Sequence, residues 1–302
     1  MMLSDRIATL ILNPVAGKAR GKQILFDVEN ALQQAGYSNR LHITTCRGEA
    51  TLAAAKYAAD SEIIACLGGD GTLNETISGV LTAKDLEKKP KLCYIPAGTT
   101  NDFAATVGIP KEIPAIMRSL KENKTAEVDI GSFGNRFFTY IASFGIFTRA
   151  SYSADQNTKN VLGHLAYVLE GAKEISDLGK VYHVNVEYDG GTVEGDYIFG
   201  SVSNTTSIGG IFKLPPDHVA LGDGKFELML IRAPQNLVEI QKDLDMMRTG
   251  DFDGEQIVFA QTSYARIRSS EPLAWCNDGE FAGDLTDVTV KNLHRAVELF
   301  VK

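Results

Sequence analysis

The sequence has 302 residues, 44% of them hydrophobic, which is enough for packed cores and, by length, for two domains. Its 30 Lys and Arg stand against 38 Asp and Glu, and the formal net charge of -8 argues against a sequence-independent attraction to nucleic acid and gives no global pull toward anionic lipid. Cys46, Cys66, Cys93 and Cys276 form no C-x-x-C pair and the five histidines lack metal-ligand spacing, which disfavours zinc and disulfide frameworks and fits reduced thiols in a cytoplasmic protein.

In chain order, Ile7 to Leu12 is an apolar run too short for a signal peptide or a membrane span, and it reads as a strand. Leu41 to Thr45, Glu62 to Leu67 and Lys91 to Pro96 read the same way. Between them, Ile24, Leu25, Val28, Leu32 and Ala35 fall at helical spacing, Leu52, Ala55, Lys56 and Ala59 more loosely, and Thr72 to Leu81 supplies a further helix. A β-α-β-α order predicts a largely parallel sheet covered by helices, with ligands at the carboxyl ends of its strands. Asn13-Pro14, Thr44, Gly68 to Thr72 and Gly98 to Asp102 each stand just past such a strand, so four loops would converge on one rim. Each alone also fits plain turn chemistry.

After about Ile130 the texture becomes an alternating β pattern: Phe137 to Ser143, Val181 to Tyr188, Thr192 to Ser203, Phe226 to Arg232 and Ile257 to Arg268. Asp189-Gly190-Gly191 signals a hairpin. Helical inserts are expected near Val161 to Leu178 and Asn236 to Met247. These changes predict an α/β nucleotide-binding domain over residues 1–130 and a β domain over residues 131–302.

The string Gly68-Gly69-Asp70-Gly71-Thr72-Leu73-Asn74-Glu75 opens directly from a buried-strand pattern. Glycines let backbone N–H groups approach phosphate oxygens, and a helix starting near Thr72 adds its unpaired amides and positive dipole end. Asp70 is repulsive to phosphate unless a divalent cation or a proton lies between them. The string has no third glycine of a Rossmann fingerprint, and the chain lacks G-x-x-x-x-G-K-[ST] as well as the H-R-D and D-F-G of protein kinases.

Gly68 to Glu75 resembles the nucleotide loop of the diacylglycerol kinase catalytic family, which also holds bacterial lipid kinases, sphingosine kinases and ceramide kinases. Asn13-Pro14-Val15-Ala16-Gly17-Lys18 resembles its first nucleotide loop, Thr44 before Gly48-Glu49-Ala50 its second, and Pro96-Ala97-Gly98-Thr99-Thr100-Asn101-Asp102-Phe103-Ala104 its P-x-G-T-x-N-D-F segment. Glu127-Val128-Asp129-Ile130-Gly131, Asp223-Gly224 and Asn277-Asp278-Gly279-Glu280 agree as well, so the likeness spans nearly the full length.

The resemblance implies a phosphofructokinase- and NAD kinase-like α/β domain followed by a β-sandwich domain for a lipid substrate, with ATP and Mg²⁺ as cofactors. It implies Glu280 as general base, where a plain Asn-Asp-Gly surface turn with Glu280 in solvent is the alternative, Asp70 near the β- and γ-phosphates orienting Mg²⁺, and Asp129 supporting the same network; Asp129 fits equally as a cap or turn residue. Asp102 would join the magnesium network or cap the next helix. Thr44, Thr72 and Thr99 would donate hydroxyls to phosphate oxygens, with Gly69, Gly71 and Gly98 giving backbone proximity; strand-end capping is the alternative. Asn74 and Glu75 open the helix, where an acid is also favoured by the dipole alone. A structural magnesium would lie on Asp223 and the main-chain carbonyls of Ala220 and Lys225, although Gly222 departs from the more usual Asn or Asp, and a plain hairpin turn is the alternative. The helix with Val161, Leu162, Leu165, Val168, Leu169 and Ala172, and the segment Ile208 to Phe212, are candidate walls for the lipid. The implied activity is ATP-dependent phosphorylation of a lipid hydroxyl, most simply of diacylglycerol, by an enzyme visiting the inner membrane surface from the cytoplasm; no nucleic-acid partner is expected, and a homodimer is left open. An NAD kinase and a non-catalytic nucleotide-binding regulator are the competing readings. The lipid-kinase reading requires Asp70 and Glu280 to meet across one crevice.

Overall fold

In the computed structural model of the protein, the described residues are 6–16, 20–84, 86–98, 101–145, 180–205, 207–208, 212–213, 219–250, 252 and 254–302. The chain divides into two compact units, Met1–Val128 with Arg295–Lys302, and Asp129–His294.

The first unit runs β1 (Ile7–Leu12), α1 (Arg20–Gln34), β2 (Ser38–Ile43), α2 (Glu49–Tyr57), a 3-10 turn at Ala58–Asp60, β3 (Ile63–Gly68), α3 (Asp70–Thr82), β4 (Lys91–Pro96), α4 (Asp102–Val107) and α5 (Ile113–Glu122). β1 pairs in parallel with β2 and β3, and β3 in parallel with β4. All six residues of β3 are buried, as expected for a strand covered on both faces. Leu10, Leu12, Ile63, Leu67 and Ile95 form one core with Val28 and Leu32 of α1 and Ile116 and Leu120 of α5. On α3, a Cβ at Gly79 would lie 2.3 Å from the Thr51 carbonyl oxygen, so only glycine admits α2 at this approach. Burial pushes the Cys66 and Cys93 thiols up to about 12, which makes them unreactive core residues.

The starts of two elements shift by two or three residues from the sequence expectation, while β3 is displaced by one residue and β2 ends two residues early. β2 starts at Ser38 rather than Leu41 because Ile7 to Leu12 pair in register with Ser38 to Ile43. As an edge strand it leaves Leu41 and Ile43 exposed, so its polar first half carries no apolar signal. α3 starts at Asp70, two residues early, because Gly69 takes the N-cap position.

The second unit follows from β5 (Thr125–Phe133) through β6 (Arg136–Phe138), β7 (Ile141–Gly145), β8 (Tyr182–Tyr188), β9 (Gly191–Ser203), β10 (Ser207–Ile208), β11 (Phe212–Lys213), β12 (Phe226–Arg232), α6 (Leu237–Thr249), β13 (Ile257–Thr262) and β14 (Tyr264–Asn277) to β15 (Glu280–Phe300). Its main strand order is β13-β12-β9-β7-β14-β15, with antiparallel pairing throughout, and β8 pairs with both β9 and β14. Phe144, Trp275, Phe138, Phe226, Leu228 and Val202 lie in one apolar core. The hairpin expected at Asp189-Gly190-Gly191 is present, with Tyr188 opposite Gly191. Asn236 caps α6 by accepting from Glu239 N at 3.0 Å, while Glu239 Oε2 accepts from Gln235 N.

Phe137 to Ser143, expected as one strand, is split into β6 and β7 because the N–H groups of Thr139, Tyr140 and Ile141 turn to the Asp278 carboxylate. Ile257 to Arg268 is likewise split at Ser263, whose N–H and hydroxyl donate to Asp189. The 21-residue β15 was not anticipated. Near its end the backbone turns at Arg295 (φ 46), and Leu299 then pairs in parallel with Leu92 of β4 in the first unit. The expected helix over Val161 to Leu178 and most of Ile208 to Phe212 lie outside the described residues.

Candidate functional site

In the first unit, β3 delivers Gly68 and Gly69 to the start of α3. Gly69 is extended (φ -92, ψ -176) and offers no side-chain cap, so the amides of the first turn face outward with the positive end of the helix. Asn13 Nδ2 donates to Thr72 Oγ1 at 3.0 Å, and Asn13 Oδ1 accepts from Val15 N, which ties the turn after β1 to this helix start. Pro14 lies within that turn.

A Cβ on Gly68 would lie 2.6 Å from Thr72 Cβ and Oγ1, and a Cβ on Gly98 would lie 2.8 Å from Gly69 Cα. The loops after β3 and β4 therefore pack backbone on backbone. Asn101, in the left-handed region (φ 51), closes the second loop: its Oδ1 accepts from Gly98 N at 2.9 Å and its Nδ2 donates to Gly98 O at 2.8 Å. The buried Tyr94 hydroxyl lies 3.2 Å from Asn101 Oδ1 and 3.4 Å from Asp70 Oδ1, one hydrogen shared by two acceptors. Burial, and secondarily the Asp70 carboxylate, push the Tyr94 phenol well above its usual value, so it stays a donor.

Other expected residues are engaged locally. Thr44 Oγ1 donates to Leu12 O at 3.2 Å. Glu75 Oε1 accepts from Gly48 N at 2.8 Å, capping the start of α2, and Thr51 Oγ1 donates to Glu75 O. Asn74 Oδ1 accepts from Ser78 one turn along α3, and Gly71 sits in that helix's first turn. The N-cap of α4 is Asn101 rather than Asp102, which is its first residue. Gly17, Lys18 and Thr99, and the Asp102 side chain, lie outside the described residues.

In the second unit, Asp129 is fully buried. Its Oδ2 accepts from Gly224 N at 2.6 Å and Asn292 Nδ2 at 3.1 Å, its Oδ1 lies 3.2 Å from His294 Nδ1, and its N–H donates to Leu221 O. Asp129 thus fixes the turn of residues 221–225. Within that turn the exposed Asp223 accepts from Lys225 N at 2.9 Å through Oδ1, and Ala220 lies just before it. Asn204 Nδ2 donates to Asp129 O, completing the anchor.

Asn277 and Glu280 are the last facing pair of the β14–β15 hairpin, joined by Asp278 (φ 50) and Gly279 (φ 82). Two successive positive φ values define the turn type that matches strand twist. Asp278 reaches back: its Oδ2 accepts from Thr139 N at 2.6 Å and Thr139 Oγ1 at 2.9 Å, and its Oδ1 from Tyr140 N at 3.0 Å and Ile141 N at 3.1 Å. Burial raises the Asp278 pKa against the pull of these donors. Glu280 is exposed. Asn277 is only 9% exposed, and its Oδ1 and Nδ2 are closed to solvent and have no hydrogen-bond partner among the described residues.

Sequence reasoning missed Tyr94 and the anchoring role of Asp278. Tyr94 looks like any apolar strand residue, and Asp278 is quoted there only as part of a turn motif.

Residues 7–133 match the family model described as diacylglycerol kinase catalytic domain, and residues 141–301 match the YegS C-terminal NAD kinase beta sandwich-like domain. The chain is 36% identical over 295 residues to a diacylglycerol kinase of Bacillus subtilis (strain 168), covering 97% of this chain and 95% of that one. It is 32% identical to a diacylglycerol kinase of Staphylococcus aureus (strain MRSA252), covering 97% and 91%. A crystal structure from Bacillus anthracis str. Sterne shares the fold with a TM-score of 0.81 at 24% identity, covering 100% of this chain and 97% of that one. A second, of a diacylglycerol kinase from the same strain, gives a TM-score of 0.74 at 22% identity, covering 98% and 97%.

Proposed function

The chain belongs to the diacylglycerol kinase catalytic-domain family, and from that premise we propose that it transfers the γ-phosphoryl group of ATP to the free hydroxyl of a diacylglycerol-like lipid. The observation that carries the nucleotide side is the uncapped start of α3 behind Gly68-Gly69, held open by the glycine-only approach of Gly98. Backbone amides of residues 69–72 bind phosphate oxygens there. Thr72 Oγ1, which accepts from Asn13, directs its own hydrogen to phosphate. Gly17, Lys18 and Thr99 are assigned to the same triphosphate on motif alone. Thr44 and Glu75 serve the geometry of the neighbouring loop and helix.

Glu280 takes the acceptor proton as the lipid oxygen bonds to the γ-phosphorus and the bond to ADP breaks. Asp278 holds the hairpin that presents it. Magnesium, when bound, would neutralise phosphate charge. Asp70 fits as its ligand, since such an ion takes one or two carboxylates and otherwise phosphate and water oxygens, and needs no dedicated cage. Among the described residues no group of three or more His, Cys, Asp or Glu could form one. The turn that Asp129 fixes offers hard oxygens of Asp223, Ala220 and Lys225, which suit a structural magnesium. Among the described residues no helix is long and apolar enough to cross a membrane. Because the acceptor is a lipid, we place the enzyme at the cytoplasmic membrane surface as a peripheral visitor.

The test is transfer of labelled phosphate from ATP to a mixed lipid extract and, separately, to NAD, with mass identification of the product. Label in a phosphorylated lipid supports the reading, and label in NAD alone overturns it. Glu280→Gln is expected to lower kcat by about 10²–10⁴-fold without lowering the thermal midpoint.

A further inference from the structure

Tyr94 stands on β4 with 1% of its surface exposed, and its backbone is locked into the parallel sheet opposite Cys66 of β3. Its phenol leaves the interior at one point, the hydroxyl, which lies 3.2 Å from Asn101 Oδ1 and 3.4 Å from Asp70 Oδ1. Both distances are long for an O–H···O bond, where about 2.7–2.8 Å is usual, so one hydrogen bridges two acceptors without closing on either. The acceptors belong to different loops. Asp70 opens α3 just past β3, and Asn101 closes the loop after β4 through its two bonds with Gly98. Asn101 is therefore held in place without the phenol. Asp70, unlike Tyr94, is only half-buried.

We propose that Tyr94 is a positioning residue for Asp70: its hydroxyl donates to Oδ1 of the carboxylate and sets the angle at which Asp70 meets a phosphate-bound divalent cation. Tyr94 itself touches neither nucleotide nor cation. This rests on the reading of Asp70 as a magnesium ligand. Ligating carboxylates are themselves oriented by outer hydrogen bonds, and losing such a partner typically costs about 10–100-fold in metal affinity or activity. A strand inside the sheet is a stiffer mount for that donor than either loop. Phenylalanine would fill the same space in the core, so what the hydroxyl adds is the single hydrogen it directs at the two loops.

The test is calorimetric binding of a non-hydrolysable ATP analogue to the full chain, once with Mg²⁺ and once with EDTA. The wild type is expected to bind the analogue more tightly with Mg²⁺. Tyr94→Phe is expected to cut that Mg²⁺-dependent gain by about 10-fold, with affinity in EDTA and the thermal midpoint unchanged. Asp70→Asn is expected to remove the gain, and adding Tyr94→Phe to it is expected to cost nothing further, because a residue that acts through another is not additive with it. An undiminished gain in Tyr94→Phe overturns the proposal. So does an equal loss of affinity with Mg²⁺ and with EDTA, or a further loss in the double variant, since either makes Tyr94 a packing residue of the two loops. A wild type without the gain, or an Asp70→Asn that keeps it, overturns the assignment of Asp70 and this inference with it. Failure of the wild type to bind the analogue under either condition overturns the nucleotide reading itself.

Discussion

Asp278 gathers four donors from three consecutive residues onto one carboxylate, and the break between β6 and β7 is shaped around it. Removing it strands three backbone N–H groups, so Asp278→Ala is expected to lower unfolding free energy by about 2–4 kcal/mol in urea titration. Glu227 behaves oppositely. It is 2% exposed, its Oε2 has no partner among the described residues, and burial pushes it up to about 8. A carboxyl raised above its unfolded value contributes stability that is complete below about pH 4.5 and lost as pH rises through about 8. Buried Asp243, raised to about 7, acts in the same direction. The wild type should therefore lose thermal stability between pH 5 and 8.5, and Glu227→Gln should flatten that slope; a parallel slope in the variant would contradict the assignment.

At the scale of elements, the start of α3 depends on contacts that only glycine permits. Gly68→Ala places a methyl group against Thr72 and is expected to destabilise by about 1–3 kcal/mol and to abolish stabilisation by added nucleotide in thermal-shift measurements. Glu75→Ala should lower stability by about 1 kcal/mol through the lost cap on Gly48 while leaving KM for ATP unchanged; a large KM effect would instead give Glu75 a ligand role. These positions also show what could be read in advance. Gly68 to Glu75 and Gly98 to Asp102 announce themselves because glycine and acid strings past buried strands are locally unusual. Tyr94 does not, since its hydroxyl acquires meaning only when Asn101 and Asp70 are brought to it by two separate loops. Nor does Asp278, whose partners lie 137–139 residues away. Splits at Thr139–Tyr140 and Ser263 were invisible for the same reason: alternation continues through them, and the interruption comes from a distant carboxylate.

At the scale of the whole molecule, the division into Met1–Val128 with Arg295–Lys302 and Asp129–His294 has no local sequence signature. The texture change near Ile130 marks the chain leaving the first unit, but nothing in residues 295–302 marks its return. That return is substantial. Leu299 pairs with Leu92, Phe300 joins the core of the first unit, and Glu298 accepts from Thr125 Oγ1 and pairs with Lys91 at 2.9 Å. Removing residues 295–302 should therefore weaken hydrogen-exchange protection in β3 and β4 while sparing β9 and β12; uniform loss in both units would contradict this.

The same return governs the order in which the protein can be made. β4 lies at the margin of the parallel strands until Leu299 reaches it. A ribosome must then synthesise the entire second unit before the nucleotide-side sheet is sealed, and a nascent chain stalled short of that point displays an unpaired strand margin, the template on which aggregation starts.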